Sequence, residues 1–322
     1  MTSNTIKAAI LGASGYTGAE LVRLLATHPR IRATALTADR KAGQSMAAVF
    51  PHLGGLGLPD MVSIDQMDWS QTDAVFCGLP HGTTQEIIAG LPRHVKVVDL
   101  SADFRLTDPA EYARVYGHEH AAPELQKQAV YGLTEIARAE VKAARLVANP
   151  GCYPTASQLP LIPLLKAGLI EADDIIIDAK SGVSGAGRAA KEANLFTEIA
   201  EGIHAYGIAT HRHAPEIEQG LTAAAGRPVM VTFTPHLMPM SRGILSTIYI
   251  RLKPGVAAAE CKAVLETAYA GEPFVRVLPG AETPATRHVR GSNFCLMNLF
   301  ADRLPGRAII CSVIDNLVKG AS

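Results

Sequence analysis

Short runs of β-branched and small apolar residues alternate with amphipathic stretches along the first half of the chain. IKAAILG (6–12) predicts a strand, and GAELVRLLATHP (18–29) a helix ended by Pro29. IRATALTAD (31–39) predicts the next strand. DAVFCGLP (73–80) is a short apolar run before a helix, TTQEIIAGL (83–91), and VKVVDLS (95–101) and RLVANP (145–150) complete the β series. Strands separated by helices need crossover connections, so this half predicts a doubly wound parallel sheet with helices on both faces. A Gly-rich loop, 42–59, interrupts it, and its composition assigns it no role.

The texture changes after Pro150. TASQLPLIPLLKAGL (155–169) predicts a helix and DIIIDAKSG (174–182) a strand. RPVMVTFTPHLMP (227–239) and GILSTIYIRLK (243–253) are longer runs joined by a Ser-Arg-Gly turn, the arrangement of an antiparallel pair. An amphipathic helix (257–270), two further strand-like runs and a short helical tail, IDNLVKGAS (314–322), follow. The second half therefore predicts an α+β domain with a mixed or antiparallel sheet, divided from the first near residue 149.

At 322 residues the chain has room for two cores. Its formal charge balances to zero and no Lys/Arg-rich run stands out, which argues against nucleic acid or an anionic membrane as partner. The N-terminus enters a strand without the apolar core of a signal peptide, and no stretch is long enough to span a bilayer, so the cytoplasm is the expected location. The five cysteines (77, 152, 261, 295, 311) are scattered with no C-x-x-C pair. That pattern predicts neither disulfides nor structural zinc.

GASGYTG (12–18) lies between the first strand and the first helix. Gly12 suits a tight turn, Gly15 lets the backbone approach a pyrophosphate, and Gly18 permits close helix–strand contact. The helix N-terminus adds N–H donors and a positive dipole end. The spacing is one residue wider than the usual dinucleotide fingerprint, and Gly-rich turns also serve as plain connections; the strand before and helix after favour a nucleotide site. The second strand leads to Asp39, Arg40 and Lys41. Asp39 suits the ribose hydroxyls of NAD, whereas Arg40 and Lys41 suit the 2′-phosphate of NADP, and the basic excess favours NADP over a mere charged surface turn.

VANPGCYPT (147–155) places Cys152 on a Pro-Gly corner entering a helix. A helix start stabilises a thiolate, lowering the thiol pKa from about 8.5. The bland reading, a small buried hydrophobe, fits Cys77, Cys261, Cys295 and Cys311 in their apolar runs better than it fits Cys152. A nucleophilic thiolate needs a proton partner, and THRHAPE (210–216) offers His211 and His213 with Arg212 between them. The H-x-H pair has no third metal ligand at convincing spacing. The second such pair, in GHEHAAPE (117–124), lies in a polar stretch and reads as solvated surface. KSGVSGAGR (180–188) is a candidate anion cradle, and DLSADFR (99–105) ends a strand where a doubly wound sheet displays ligand contacts.

Together GASGYTGAEL, GLPHG, DLSADFRL, NPGCYPT, KSGVSGAGR, HRHAPEI, PHLMPMSRGILST and VIDNLVKGA resemble the N-acetyl-γ-glutamyl-phosphate reductase family over nearly the whole chain. The resemblance departs at Thr134, where the family usually has proline. It implies a Rossmann-type NADP-binding domain of residues 1–148 and 309–322, with a C-terminal helix packing back, and a catalytic and oligomerisation domain of residues 149–308. It implies NADPH-dependent reduction of an acyl phosphate to a semialdehyde, with Cys152 as nucleophile and His211 as acid/base, His213 competing for that role. Gly12, Ser14, Gly15, Tyr16, Thr17, Gly18, Arg40, Leu79, Pro80, Ser181, Gly182 and Asn316 are then the NADP(H) residues. Asn149, Arg105 and Arg212 are expected at the substrate, and a homodimer or homotetramer is expected. Two alternatives stand beside it: an aspartate-semialdehyde dehydrogenase acting on aspartyl phosphate, and a non-catalytic NADP-sensing protein.

Overall fold

The computed structural model describes residues 5–322. They form two compact units, one running to Pro150 and taking in Ser322, the other from Gly151 to Ala321.

The first unit holds β1 (Ile6–Leu11), β2 (Ile31–Leu36), β3 (Ala74–Cys77), β4 (Lys96–Asp99), β5 (Ala129–Tyr131) and β6 (Leu146–Ala148). They make one parallel sheet in the order β2-β1-β3-β4-β6-β5. Ala8 to Leu11 are fully buried, as a strand covered on both faces requires. From β1 the chain runs to β2 on one side and then crosses back to β3 on the other. The carboxyl ends of β1 and β3 therefore flank a topological switch point, where doubly wound sheets bind ligands. The 42–59 loop gains a role: Met46 and Leu53 are buried in the core around Ala8, Ile10 and Leu21. β5 and the helices Pro109–Tyr116 and Arg138–Ala143 escaped the sequence reading, being too short for a periodicity to emerge.

The second unit holds β7 (Ile175–Gly182), β8 (His204–Ala205), β9 (Val231–Met238), β10 (Ile244–Arg251), β11 (Val275–Val277), β12 (Cys295–Ala301) and β13 (Arg307–Ile314). Their order is β11-β12-β13-β10-β7-β9-β8, with β7–β9 and β11–β12 parallel and the other pairs antiparallel. Every residue of the helix Cys152–Lys166 from Tyr153 to Leu165 is buried, which explains why no polar stripe marks it. Pro160 and Pro163 lie inside this helix. Pro163 has no N–H for the carbonyl of Leu159, and the Tyr269 hydroxyl donates to that carbonyl instead.

The chain end departs from expectation. Residues 309–314 belong to β13, which pairs with β12 and β10 in the middle of the second sheet. A strand hydrogen-bonded on both edges cannot join the first unit. Residues 316–321 form turns rather than a helix. The Asp315 carboxylate accepts the N–H groups of Leu317 and Val318, a local bond that competes with helix formation. Of the tail only Ser322 belongs to the first unit, its hydroxyl donating to the Thr17 carbonyl at 3.0 Å.

Candidate active site

In the first unit the glycine turn joins β1 to the helix Tyr16–Ala26, with Gly15 as N-cap. Gly12 has φ +74°, and a Cβ there would sit 2.5 Å from the Gly78 carbonyl oxygen. A Cβ on Gly18 would sit 2.5 Å from the Gly12 oxygen and 2.6 Å from the Ala13 Cα. Both glycines are demanded by the fold itself. Gly15 is not: a Cβ there would only touch the Gly12 oxygen, at 3.4 Å. No side chain caps this helix and its first turn carries no acid. The bare backbone at Gly15 and the uncompensated helix dipole suit a pyrophosphate, so the residues present fit a dinucleotide.

Thr37, past the end of β2, pins the turn. Its hydroxyl accepts the Gly12 N–H at 3.3 Å and its carbonyl accepts the Ala13 N–H at 2.9 Å. Asp39, Arg40 and Lys41 follow as an exposed turn, leaving the Arg40 guanidinium open to a phosphate. Across the switch point, Gly78, Leu79 and Pro80 continue β3, the Gly78 N–H donating to the Leu11 carbonyl at 2.9 Å. Expected dinucleotide residues from both strand ends thus share one crevice.

In the second unit Cys152 is the first residue of its helix, with Gly151 as N-cap, and is half-buried. The other buried thiols bear out the bland reading: Cys77, Cys261 and Cys295 lie in the core, and burial pushes the Cys77 and Cys261 thiols up, Cys261 to about 11. The Glu216 carboxylate accepts the Gly151 N–H at 2.8 Å, holding the corner on which Cys152 stands. Gln158 donates to the Glu216 carbonyl at 2.8 Å, and a Cβ on Gly220 would collide with the Gln158 amide. These contacts lock the helix His213–Ala225 against the Cys152 helix. Gly320 packs just as closely from another side, with room for no Cβ beside that of Cys152.

His211 stands before the helix His213–Ala225, after a turn in which Ala209 adopts φ +58°. The main-chain N–H of His213 donates to Nδ1 of His211 at 3.0 Å. Nδ1 is therefore the acceptor, and the neutral ring carries its proton on Nε2. Burial and then the neighbouring Arg212 charge lower the His211 pKa to about 4. The ring packs edge-on against Tyr153, Tyr206 and Phe233, and 4.9 Å from the His213 ring. The Tyr153 and Tyr206 hydroxyls share a hydrogen bond of 2.9 Å. Burial raises the pKa of both, Tyr206 to about 12, and the charge of Cys152 adds to each shift. Cysteine, tyrosines and histidine thus form one cluster.

The remaining expected residues are also placed. Arg105 is buried in the first unit, its Nε donating to the Asn149 carbonyl at 2.8 Å and its Nη2 to that of Leu100 at 3.0 Å. The Asn149 side chain donates to the Pro150 carbonyl at 3.3 Å. Arg212 is exposed. In the second unit Ser181 is buried, and Gly182 lies against the backbone of Arg242, which leaves no room for a Cβ. Asn316 accepts the Gly243 N–H and donates to the Ser184 hydroxyl. Tyr153, Tyr206 and Glu216 were not singled out beforehand. Glu216 carried a faint signal as an acid in the first turn of a helix entered through Pro215; Tyr206 carried none.

Both halves match known families. A family model described as "Semialdehyde dehydrogenase, NAD binding domain" covers residues 7–144, and "Semialdehyde dehydrogenase, dimerisation domain" covers 152–316. The chain belongs to the semialdehyde dehydrogenase family. A relative in Rhodospirillum rubrum, N-acetyl-gamma-glutamyl-phosphate reductase, is 66% identical over 325 residues, 99% of this chain and 92% of its own. A probable chloroplastic N-acetyl-gamma-glutamyl-phosphate reductase of Oryza sativa subsp. japonica is 65% identical over 317 residues, 98% of this chain and 76% of its own. Identity of that order along nearly the whole length sets the chain among the N-acetyl-γ-glutamyl-phosphate reductases, NADP-dependent oxidoreductases of arginine biosynthesis. Aspartate semialdehyde dehydrogenase II from Vibrio cholerae has the same fold, with a TM-score of 0.75 at 18% identity over 99% of this chain and 95% of that one. The Candida albicans enzyme, solved with NADP, follows at a TM-score of 0.67 and 18% identity, over 98% of this chain and 95% of that one.

Proposed function

We propose that Cys152 carries the acyl group while N-acetyl-γ-glutamyl phosphate is reduced to N-acetylglutamate 5-semialdehyde and phosphate. The observation that carries this is the position of Cys152: half-buried, first in a buried helix, and clustered with His211 through Tyr153 and Tyr206. The thiolate attacks the γ-carbonyl, a C–S bond forms, and the C–O bond to phosphate breaks with its electron pair leaving on phosphate. An acyl phosphate is already activated, so alignment and anion stabilisation are the main demands. Gly12 to Gly18, Leu79, Pro80 and Arg40 would hold NADPH, which when bound supplies the hydride that reduces the thioester. His211 offers Nε2–H to the oxyanion, as a neutral hydrogen-bond donor and proton carrier. Collapse restores the carbonyl as the aldehyde and returns sulfur as thiolate. Arg212, exposed beside His211, is the proposed contact for a substrate anion, while Arg105 steadies Asn149, three residues before the nucleophile.

Cys152→Ser is expected to abolish phosphate-dependent reduction of NADP⁺ by N-acetylglutamate semialdehyde while leaving NADPH binding intact; normal turnover by that variant sinks the covalent scheme. Aspartate semialdehyde, assayed in parallel, is expected to be a poor substrate.

A second copy of this chain is the proposed partner. In β7, β9, β10 and β13 alternate residues are buried while those between remain half-exposed, so one face of the second sheet stays open. Asp178 on that face pairs with Lys180 and His236. Light scattering is expected to give a homodimer or homotetramer, and a monomer at micromolar concentration overturns this. No helix among the described residues is long and apolar enough to cross a membrane; we place the protein in the cytoplasm, which fractionation tests.

A further inference from the structure

We propose that Asp103 is a positioning residue for the dinucleotide, acting through the loop that follows β3. This rests on the cofactor reading above and extends it to a residue outside the crevice. Asp103 is fully buried in the turn after β4. Its Oδ1 accepts the Gly82 N–H at 2.7 Å and its Oδ2 the same N–H at 2.9 Å. Oδ2 also accepts the Thr84 N–H at 3.1 Å and the Thr84 hydroxyl at 2.7 Å. On the far side, Oδ1 accepts the Tyr112 hydroxyl at 2.9 Å.

These bonds tie down the end of a loop whose start is tied to β1. Gly78 is held by Leu11 and lies against Gly12; Gly82 and Thr84 are held by Asp103. Between the two ties lie Leu79 and Pro80; the Thr83 hydroxyl donates to the Pro80 carbonyl at 2.7 Å, and the Ala102 N–H donates to Nδ1 of His81 at 3.0 Å. The bonds at His81, Gly82 and Thr84 thus come from the same Ser101–Asp103 turn. Gly82 itself has φ +81°, and a Cβ there would press on the His118 ring at 3.1 Å, so this corner calls for glycine.

The arrangement also decides where phosphate goes. The helix Thr84–Gly90 starts on this loop, and the Asp103 carboxylate already takes the N–H of its first residue, Thr84, and that of Gly82 just before it. An internal carboxylate repels a second anion there, whereas the helix Tyr16–Ala26 carries no such acid. Asp103 therefore shapes one wall of the crevice and leaves the Gly15 helix as the anion site.

Asp103→Asn keeps the shape but turns an NH₂ toward N–H or O–H donors, releasing the loop. The expected result is a folded protein whose KM for NADPH rises about 10-fold or more, with kcat at saturation within about 3-fold of wild type. Cys152 should react with iodoacetamide at the wild-type rate, and amide exchange should quicken in the peptide spanning 78–86. Tyr112→Phe removes a bond to Asp103 but none to the loop, and should leave KM unchanged. A folded Asp103→Asn with unchanged KM overturns the proposal, as does an equal rise in Tyr112→Phe. If Asp103→Asn does not fold, Thr84→Val, which loses the hydroxyl bonds to Asp103 and Ser101, should raise KM several-fold, and no rise overturns the proposal. Wild-type protein that does not bind NADPH overturns the cofactor reading as well; tight binding by wild type and Asp103→Asn alike sinks this inference alone.

Discussion

The main-chain N–H of His213 donates to Nδ1 of His211, 3.0 Å away. The bond separates the two histidines by role. His211 presents its ring proton on Nε2, and His213 fixes that tautomer with its backbone, whatever its side chain. His211→Asn is therefore expected to lose about 10²–10⁴ in kcat. His213→Asn keeps the main-chain donor and should stay within about 10-fold. Steady-state rates of both variants decide it, and a larger loss at His213 reverses the assignment.

The His211 ring also predicts a pH dependence of stability. Its pKa is about 4 when folded against 6.5 ordinarily. As pH falls below 6.5 the unfolded chain takes up the proton first. Stability from this group is complete above 6.5 and lost toward pH 4, with a slope up to ~1.4 kcal/mol per pH unit. Asp99 acts in the opposite sense. Burial, foremost, raises its pKa from 3.8 to about 7, so its contribution is complete below 3.8 and lost as pH rises toward 7. The two oppose each other in wild type. In His211→Asn only the Asp99 contribution remains, so urea unfolding should show stability falling from pH 4.5 to 6.5 relative to wild type. Parallel curves for the two proteins would show that His211 is not held neutral.

Gly15 and Gly18 should fail differently. Gly18→Ala forces a Cβ into the Gly12 and Ala13 backbone and is expected to lower the melting temperature sharply. Gly15→Ala meets only an ordinary contact within the chain. It should fold normally yet bind NADPH at least about 10-fold more weakly, because at the proposed site a methyl group would intrude on the pyrophosphate. Fluorescence titration of NADPH beside a thermal melt separates the two.

Tyr269 should matter to stability and not to turnover. Its hydroxyl serves the Leu159 carbonyl, which Pro163 leaves without a helical donor. Tyr269→Phe is expected to cost about 1–3 kcal/mol in urea unfolding with kcat unchanged. Adding Pro163→Ala restores an N–H at that site and should recover part of the loss; if it recovers nothing, the Leu159 carbonyl is not the reason for the loss.

Local features were legible in the sequence because their causes are local. The β1–Gly12–Gly15–Gly18–helix passage, the helix start at Cys152 and the alternation of β7, β9 and β10 depend on neighbours a few residues away. Periodicity and glycine spacing therefore announced them. The two compact units divide at Pro150, where the last strand of the first sheet has just ended.

Tertiary structure alone decided the rest. No local pattern tells β13 to lie between β12 and β10; only the pairing of both its edges does, and that pairing keeps residues 307–314 in the second unit. Glu216 reaches Gly151 across 65 residues, and Tyr206 reaches Tyr153 across 53. Asp103 holds Gly82 from the next strand end. Hydrogen bonds between residues so far apart come into being when the sheets assemble, because sheet order, and not sequence spacing, sets which loops become neighbours.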